Sequence, residues 1–413
     1  MHPADRHGVA PTMLLRTLHA PPPLAPTATA LDAPPIPASR AWAERYVVRA
    51  EAPVIDLTQG VPNTPPDPGL LRRLGKAGAD RALASYGPLE GEPALREAFA
   101  VETRRLYGGD VAAADVTITA GANLGFTLVM SAITTPGDAV LLPAPWFFNH
   151  PMALALRGVA SQPLPCDAGN GLLPDPDRAA ALIDARTRAI VLVTPNNPTG
   201  AIMPPALVAR FAALCRDRGL WLVLDETYRD FLPAGAGAPH GLFAQPGWRD
   251  HVVQLYSFSK AYGIPGHRSG AVVAGPLLRA QLMKAVDNIQ ICAPRPPQVA
   301  LAWAIPALRV WREDNAAAMA RRGAAFAAAL REAPTWRIEA LGAYFAWVRI
   351  PEAMRSAAQA AETLAQTQGV ITLPGTAFGP GGERHLRMAF AGVEEAAIAA
   401  LPARLNAITE DGR

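Results

Sequence analysis

Four short stretches of almost unbroken apolar residues limit what this chain can fold into: Ala139–Leu142, Ala189–Val193, Leu220–Leu224 and His251–Ser257. A strand with one wet face alternates polar and apolar side chains, so a strand without alternation is buried on both faces. Helical segments lie between them, Pro205–Arg218 being the clearest. Repeated strand–helix units predict an α/β fold, a mainly parallel sheet sandwiched by helices. Val116–Thr119 reads as a further strand that ends at Gly121 and leads into an apolar helix from about Asn123 to Ile133. A helix begins at Pro93 with Leu95, Phe99 and Leu106 on one face. A long helical stretch, about Gln298 to Glu332, leads to a smaller α+β domain. There Phe345–Ile350 and His385–Phe390 read as strands, with an alanine-rich helix, about Ala357 to Gln368, between them.

The expected organisation has four parts. Residues 1–40 form a proline-rich tail without periodicity, too poor in buried apolar area to offset its ordering entropy and therefore read as disordered. Met13 within it is a candidate true start. Residues 41–75 form an N-terminal segment packing with the small domain, with a short helical pattern at Ala41–Val48 and an opening strand at Val54–Gly60. Residues 76–300 make the large domain and 301–413 the small one.

Charge and cysteine usage exclude several classes of function. The net charge of +3 is small for 413 residues, and no block of like charges offers a surface to nucleic acid or anionic membrane. No apolar run approaches the ~18 residues of a membrane helix. The N-terminus lacks the apolar core of a secretory signal. Cys166, Cys215 and Cys292 are scattered, with no metal-binding spacing, which fits a reducing compartment. A soluble, cytoplasmic protein is expected.

Ligands of such sheets collect at the carboxyl ends of the strands, and the polar clusters of this chain fall there. Ser257-Phe258-Ser259-Lys260 places an amine beside two hydroxyls, and Gly266-His267-Arg268-Ser269-Gly270 adds a guanidinium. A neighbouring cation and partial burial favour the neutral, nucleophilic form of a lysine that otherwise titrates near ~10.4. Arg268 and Ser257 suit a phosphate. A reactive amine beside a phosphate socket suggests pyridoxal phosphate; a surface Ser-Lys loop is the plain alternative. Asp225 ends the apolar run Trp221–Leu224, where an unpaired carboxylate would be costly, so a cation should meet it. That cation could be a protonated pyridine nitrogen or a structural arginine. Thr194-Pro195-Asn196-Asn197-Pro198-Thr199-Gly200 offers a rigid amide, or an ordinary turn. Gly121-Ala122-Asn123 presents free backbone N–H groups at a helix start. Gly235, Gly237 and Gly241 lack the spacing of a dinucleotide fingerprint and read as a loop.

From about Leu57 to Ala391, the order and spacing of these residues resemble the class I/II aminotransferases, pyridoxal-phosphate enzymes of fold type I. The resemblance implies that Lys260 forms the Schiff base and acts with Asp225 and Tyr228 in catalysis. It puts Ser257, Arg268, Ala122 and Asn123 on the phosphate, Asp225 on the pyridine nitrogen, and Tyr228 and Asn197 on the ring oxygen. Phe147, rather than Trp146, would stack on the ring. The Asn197–Pro198 bond would be cis. Tyr86 would reach the phosphate of a neighbouring subunit, implying a homodimer with shared sites. Arg387 would clamp the substrate α-carboxylate, with Gly60 closing that pocket and Asn197 beside it. The implied activity is ping-pong transfer of an amino group from an α-amino acid to a 2-oxo acid.

The chain departs from the family at Thr194, where Asn is frequent, and at His150, where Tyr is. His150 is read as a satisfied structural histidine near the stacking segment, and Arg295 as an exposed loop arginine rather than a binder of a distal carboxylate. Other pyridoxal-phosphate reactions of this fold stay open: a β-lyase, a synthase or an oxidase. A ligand-sensing regulator would need a basic DNA-binding region where this chain has its proline-rich stretch, and a degenerate scaffold would have lost Lys260, Asp225 or Arg387.

Overall fold

The apolar runs become the middle of one sheet. The computed structural model describes residues 22–410, and its strands are β1 (Ile55–Asp56), β2 (Val116–Thr119), β3 (Ala139–Ala144), β4 (Ala160–Pro165), β5 (Thr187–Val193), β6 (Trp221–Asp225), β7 (Val252–Ser257), β8 (Gly270–Val273), β9 (Arg337–Gly342), β10 (Phe345–Arg349), β11 (Val370–Ile371), β12 (Leu373–Pro374) and β13 (His385–Ala389). Seven of them form the large sheet in the order β2-β8-β7-β6-β5-β3-β4. The run from β7 to β4 is parallel, and only β8 opposes its two neighbours. Neighbouring residues on one strand serve opposite cores. Ile190 and Leu192 pack with Phe211 and Cys215 of the Pro205–Arg218 helix, whereas Ala189 and Val191 pack with Phe126 and Val129 of the Ala122–Ile133 helix. Each large apolar side chain so buried contributes about 1.5–3 kcal/mol, which favours apolar residues on both faces of the strand interiors.

The register brings the strand ends together: Val193 pairs with Asp225, Asp225 with Leu255, and Ser257 with Gly270. The functional loops after β5, β6 and β7 therefore leave one edge of the sheet side by side.

The smaller unit is an antiparallel sheet, β12-β13-β10-β9, and a parallel pair β1–β11 that ties Ile55 to Val370. The long helical stretch is two helices, Arg295–Ala307 and Arg309–Leu330, meeting at Leu308 after Pro306. Leu301, Ala304 and Leu308 belong to the large core, whereas Met319, Phe326 and Leu330 belong to the small one. The change of core thus falls inside the Arg309–Leu330 helix, not at residue 300.

Between the two units the backbones nearly touch. A Cβ on Gly200 (φ +77°) or on Gly342 would overlap the other glycine's main chain.

Residues 22–40 differ from the expected disorder. They carry helices at Pro26–Thr29 and Pro35–Trp42, each opened by a proline at its first turn, where the missing N–H costs nothing. The second helix is held by tertiary contacts: Ser39 is buried, and Arg40 binds Asp56 at 2.8 Å and Gln59 at 3.1 Å. Met13 lies outside the described residues.

Candidate active site

A cleft of about 390 Å³ opens where the loops leave β5, β6 and β7. Of the residues singled out in the sequence, Gly60, Ala122, Asn123, Phe147, Asn197, Tyr228, Ser257, Lys260, Arg268 and Arg387 line it. Segments up to 327 residues apart in the chain thus meet in one cavity, counting from Gly60 to Arg387.

One end of the cleft is built for an anion. The Ala122–Ile133 helix starts there, and its first-turn N–H groups have no partner within the helix. Gly121 precedes it at φ +92°, and any Cβ there would overlap the Arg268 guanidinium, so glycine is required by both space and backbone. Arg268 itself adopts φ +48° and donates from Nη1 to the Pro265 carbonyl at 2.9 Å, which fixes its head beside the helix start. The Ser257 hydroxyl accepts from the Ser259 N–H at 3.3 Å.

Lys260 stands in the short helix Phe258–Ala261 after β7. Burial, with the charges of Arg268 and Arg387 adding to it, lowers its amine to about 8. A substantial neutral fraction is therefore available near physiological pH. Its own carbonyl accepts from the Tyr344 hydroxyl at 3.3 Å, which positions the helix turn from below.

Asp225 does not line the cleft. It is buried at the end of β6, behind Thr227 and Tyr228. The Thr227 N–H donates to its Oδ1 at 3.1 Å, and His150 Nε2 lies 3.2 Å from Oδ2. Burial alone would raise this carboxyl, but the His150 ring and the Thr227 donors outweigh it and hold it below its ordinary value. His150 stacks on Phe126 with centroids 4.1 Å apart and meets Phe147 edge-on at 5.2 Å. The histidine read as merely structural is thus in contact with the predicted cofactor aspartate and with the predicted stacking ring. Spacing could not have shown this, since 75 residues separate His150 from Asp225.

The opposite end is set by Arg387 on β13. Its guanidinium lies 5.0 Å from the ring centroids of both Phe345 and Phe378. It donates to Asn197 Oδ1 at 3.1 Å and to the Thr58 carbonyl, while its Nε is buried without a partner. Burial lowers it to about 10, still charged at neutral pH. Gly60 closes this end, because a Cβ there would approach the Phe345 ring to 2.6 Å. Ile36 also reaches the cleft from the Pro35–Trp42 helix, a residue that composition assigned to the disordered tail.

Two expectations need correction. The cis peptide bonds are Ala144–Pro145 and Thr194–Pro195, flanking the predicted segments, and Asn197–Pro198 is trans. Arg295 is not a free loop residue: it opens the Arg295–Ala307 helix, and its Nε binds Glu92 at 2.6 Å. Tyr86 lies outside the cleft of its own chain, at 78% exposure.

The donor set fits a phosphorylated pyridine aldehyde. Free N–H groups, Ser257 and Arg268 face one end, an amine of lowered pKa stands in the middle, and an ionised carboxylate waits behind the far wall. Comparison with known proteins decides the family. The family described as aminotransferase class I and II matches residues 52–405. The chain belongs to that family.

As a class I/II aminotransferase it is a pyridoxal-phosphate-dependent enzyme. The aromatic aminotransferase ISS1 of Arabidopsis thaliana is 31% identical over 359 residues, covering 85% of this chain and 89% of that protein. The arginine–pyruvate transaminase AruH of Pseudomonas aeruginosa is 33% identical, with 76% and 80% covered. Among solved structures, the Thermus thermophilus aspartate aminotransferase with maleate superposes with a TM-score of 0.85 at 25% identity, over 94% of this chain and 100% of that one. The aminotransferase fold is therefore fold type I, with the parallel sheet described above.

Proposed function

We propose that this aminotransferase works on α-amino acids with neutral, apolar side chains, with the residue roles set out below. The family supplies the reaction: an amino acid gives its amino group and leaves as a 2-oxo acid, and a second 2-oxo acid takes the group up. Bound pyridoxal phosphate supplies a carbonyl that captures the amino group and a ring that withdraws electrons from the substrate Cα.

The chain's own residues divide the remaining work. Ser257, Arg268 and the N–H groups of Ala122 and Asn123 hold the phosphate. Asp225 keeps the ring nitrogen protonated, and His150 positions that carboxylate. Asn197 and Tyr228 hydrogen-bond the ring oxygen, and Phe147 packs on the ring. Arg387 receives the substrate α-carboxylate, its plane already fixed between Phe345 and Phe378, so little ordering is left to the moment of binding. Lys260 Nζ would take the proton from the substrate Cα and pass it to the former aldehyde carbon of the cofactor. The observation that carries the reading is the lowering of the Lys260 amine to about 8 inside the cleft that Arg387 closes.

The side-chain preference is supported by Ile36, Val61, Phe147, Phe148 and Phe345 around the cleft. Purified enzyme should convert phenylalanine or leucine only when a 2-oxo acid acceptor is supplied, and convert aspartate at least about tenfold less efficiently. Ammonia released without an acceptor would identify a lyase or oxidase instead. Equal efficiency on aspartate would remove the apolar preference and leave transamination intact.

We further propose a cytoplasmic homodimer in which Tyr86 completes the neighbouring subunit's phosphate site. Its 78% exposure beside Gly87 and Arg295 supports this, as do the exposed Leu71, Ile289 and Val299. The three unpaired cysteines support a reducing location, and no described helix is long and apolar enough to cross a membrane. Sedimentation at micromolar concentration should show twice the 43.5 kDa chain mass. A monomer of full activity would remove the shared-site reading.

A further inference from the structure

A second cavity, of about 360 Å³, opens beside Arg229 and Asp230, between the 232–239 loop and the first half of the Arg309–Leu330 helix. Its size is within the range of small-molecule sites. The walls are largely apolar, with Leu106, Leu232, Pro233 and Ala316 among them. Four arginines also line it, Arg105, Arg229, Arg309 and Arg312.

The carboxylates nearby are shared among these groups. Glu102 is shared by three of the arginines, at 3.0 Å from Arg105, 3.0 Å from Arg309 and 2.7 Å from Arg312. Burial would raise its carboxyl, yet the hydrogen bonds of Arg105 and Arg312 hold it at about 2, so it stays ionised. Asp230 takes the other side of Arg312 at 2.7 Å. With Glu313 at the rim and the buried Glu226 acting on Arg229, four carboxylates match the four guanidinium groups.

Donors are left over even so. Arg309 uses only its Nε, and Arg105 keeps Nη1 free; both side chains are partly exposed at the cavity mouth. Behind them Arg229 is 4% exposed, and its Nε and Nη1 have no hydrogen-bond partner. It sits over the rings of Tyr256 at 4.1 Å and Phe99 at 4.9 Å, which fix its charge against the back wall.

We infer that this cavity binds a small monocarboxylate with an apolar body. The carboxylate is received by Arg309 and Arg105 at the mouth, and the hydrocarbon part lies on Leu232 and Ala316. The free planar donors match a carboxylate. The apolar walls exclude a bare inorganic anion as the best occupant. The site is separate from the transamination cleft, although Arg229 and Asp230 directly follow Tyr228 in the chain.

Calorimetric titration of the holoenzyme with phenylacetate tests this, with phenylacetamide as the uncharged control. Phenylacetate should bind with two equivalents per chain, one of them in the cleft at Arg387. Arg309→Gln should weaken the other at least about tenfold. Ala316→Phe should abolish it by filling the cavity with every charge in place. Arg387→Leu should remove only the cleft equivalent. Unchanged turnover of an amino donor certifies that the Arg309 and Ala316 variants fold. A single equivalent in the wild type, equal binding of phenylacetamide to the second site, or a second equivalent unmoved by Arg309→Gln and Ala316→Phe would each overturn the inference.

Discussion

Lys260→Ala should leave a folded protein that transaminates roughly 10⁴-fold more slowly or worse, because it removes both the covalent attachment and the proton carrier at Cα. Folding should survive, since the native site already disfavours the charged amine, through burial and the charges of Arg268 and Arg387. The phosphate contacts remain, so the variant should still retain cofactor without the absorbance of its lysine-bound form. Stopped-flow measurement of a single half-reaction reads the loss directly. A variant turning over at the wild-type rate would refute the assignment of Lys260. The same amine sets a pH signature in the wild type. With a value of about 8, its neutral fraction rises about fivefold between pH 7 and 8 and levels off above pH ~9. Capture of pyridoxal phosphate by the apoprotein should follow that curve. An ordinary lysine would keep gaining about tenfold per pH unit up to pH ~10.

Asp225→Asn should be the next most damaging change. The carboxylate is held below its ordinary value by His150 and the Thr227 donors, so at neutral pH it carries a full charge in a buried place. An amide of the same shape still accepts from the Thr227 N–H but offers no charge to a protonated ring nitrogen. Removing one partner of a buried charge pair costs about 3–5 kcal/mol, or roughly 10²–10⁴ in rate if the loss falls on the transition state. The fall should appear in kcat at saturating donor, with the melting temperature nearly unchanged. A drop of less than about threefold would place the ring nitrogen's partner elsewhere.

The central strands could be read from the sequence because the inner residues of β5, β6 and β7 are buried on both faces, and only Gln254 of β7 interrupts their apolar runs. β4 escaped notice for the opposite reason: it is an edge strand, Ala160–Pro165, with exposed and half-exposed positions and two prolines. β8 was hidden in the Gly270–Val273 run directly after the arginine motif, where only its pairing to β2 and β7 makes it a strand. Lys260, Arg268 and Asn197 were legible because each stands in a local motif at a strand end or in the loop beyond it, and Arg387 because it stands in a motif within β13. The contact of His150 with Asp225 and the arrival of Ile36 in the cleft were not, since both depend on long-range packing that composition does not encode. The Pro35–Trp42 helix shows why a proline-rich stretch can mislead. Its order comes from Arg40 gripping Asp56 and Gln59, residues that periodicity within the helix cannot see.

The paired glycines at 200 and 342 act as a spacer defined by what is missing. Gly200 closes the turn that presents Asn197, and Gly342 ends β9 beside the strand that presents Phe345. Because their main chains abut, the gauge between the Asn197 amide and the Arg387 guanidinium is set by the bare thickness of two peptide groups. A single methyl group at either position would act as a shim, widening the jaws by its own diameter and detuning carboxylate recognition from a place that touches no substrate.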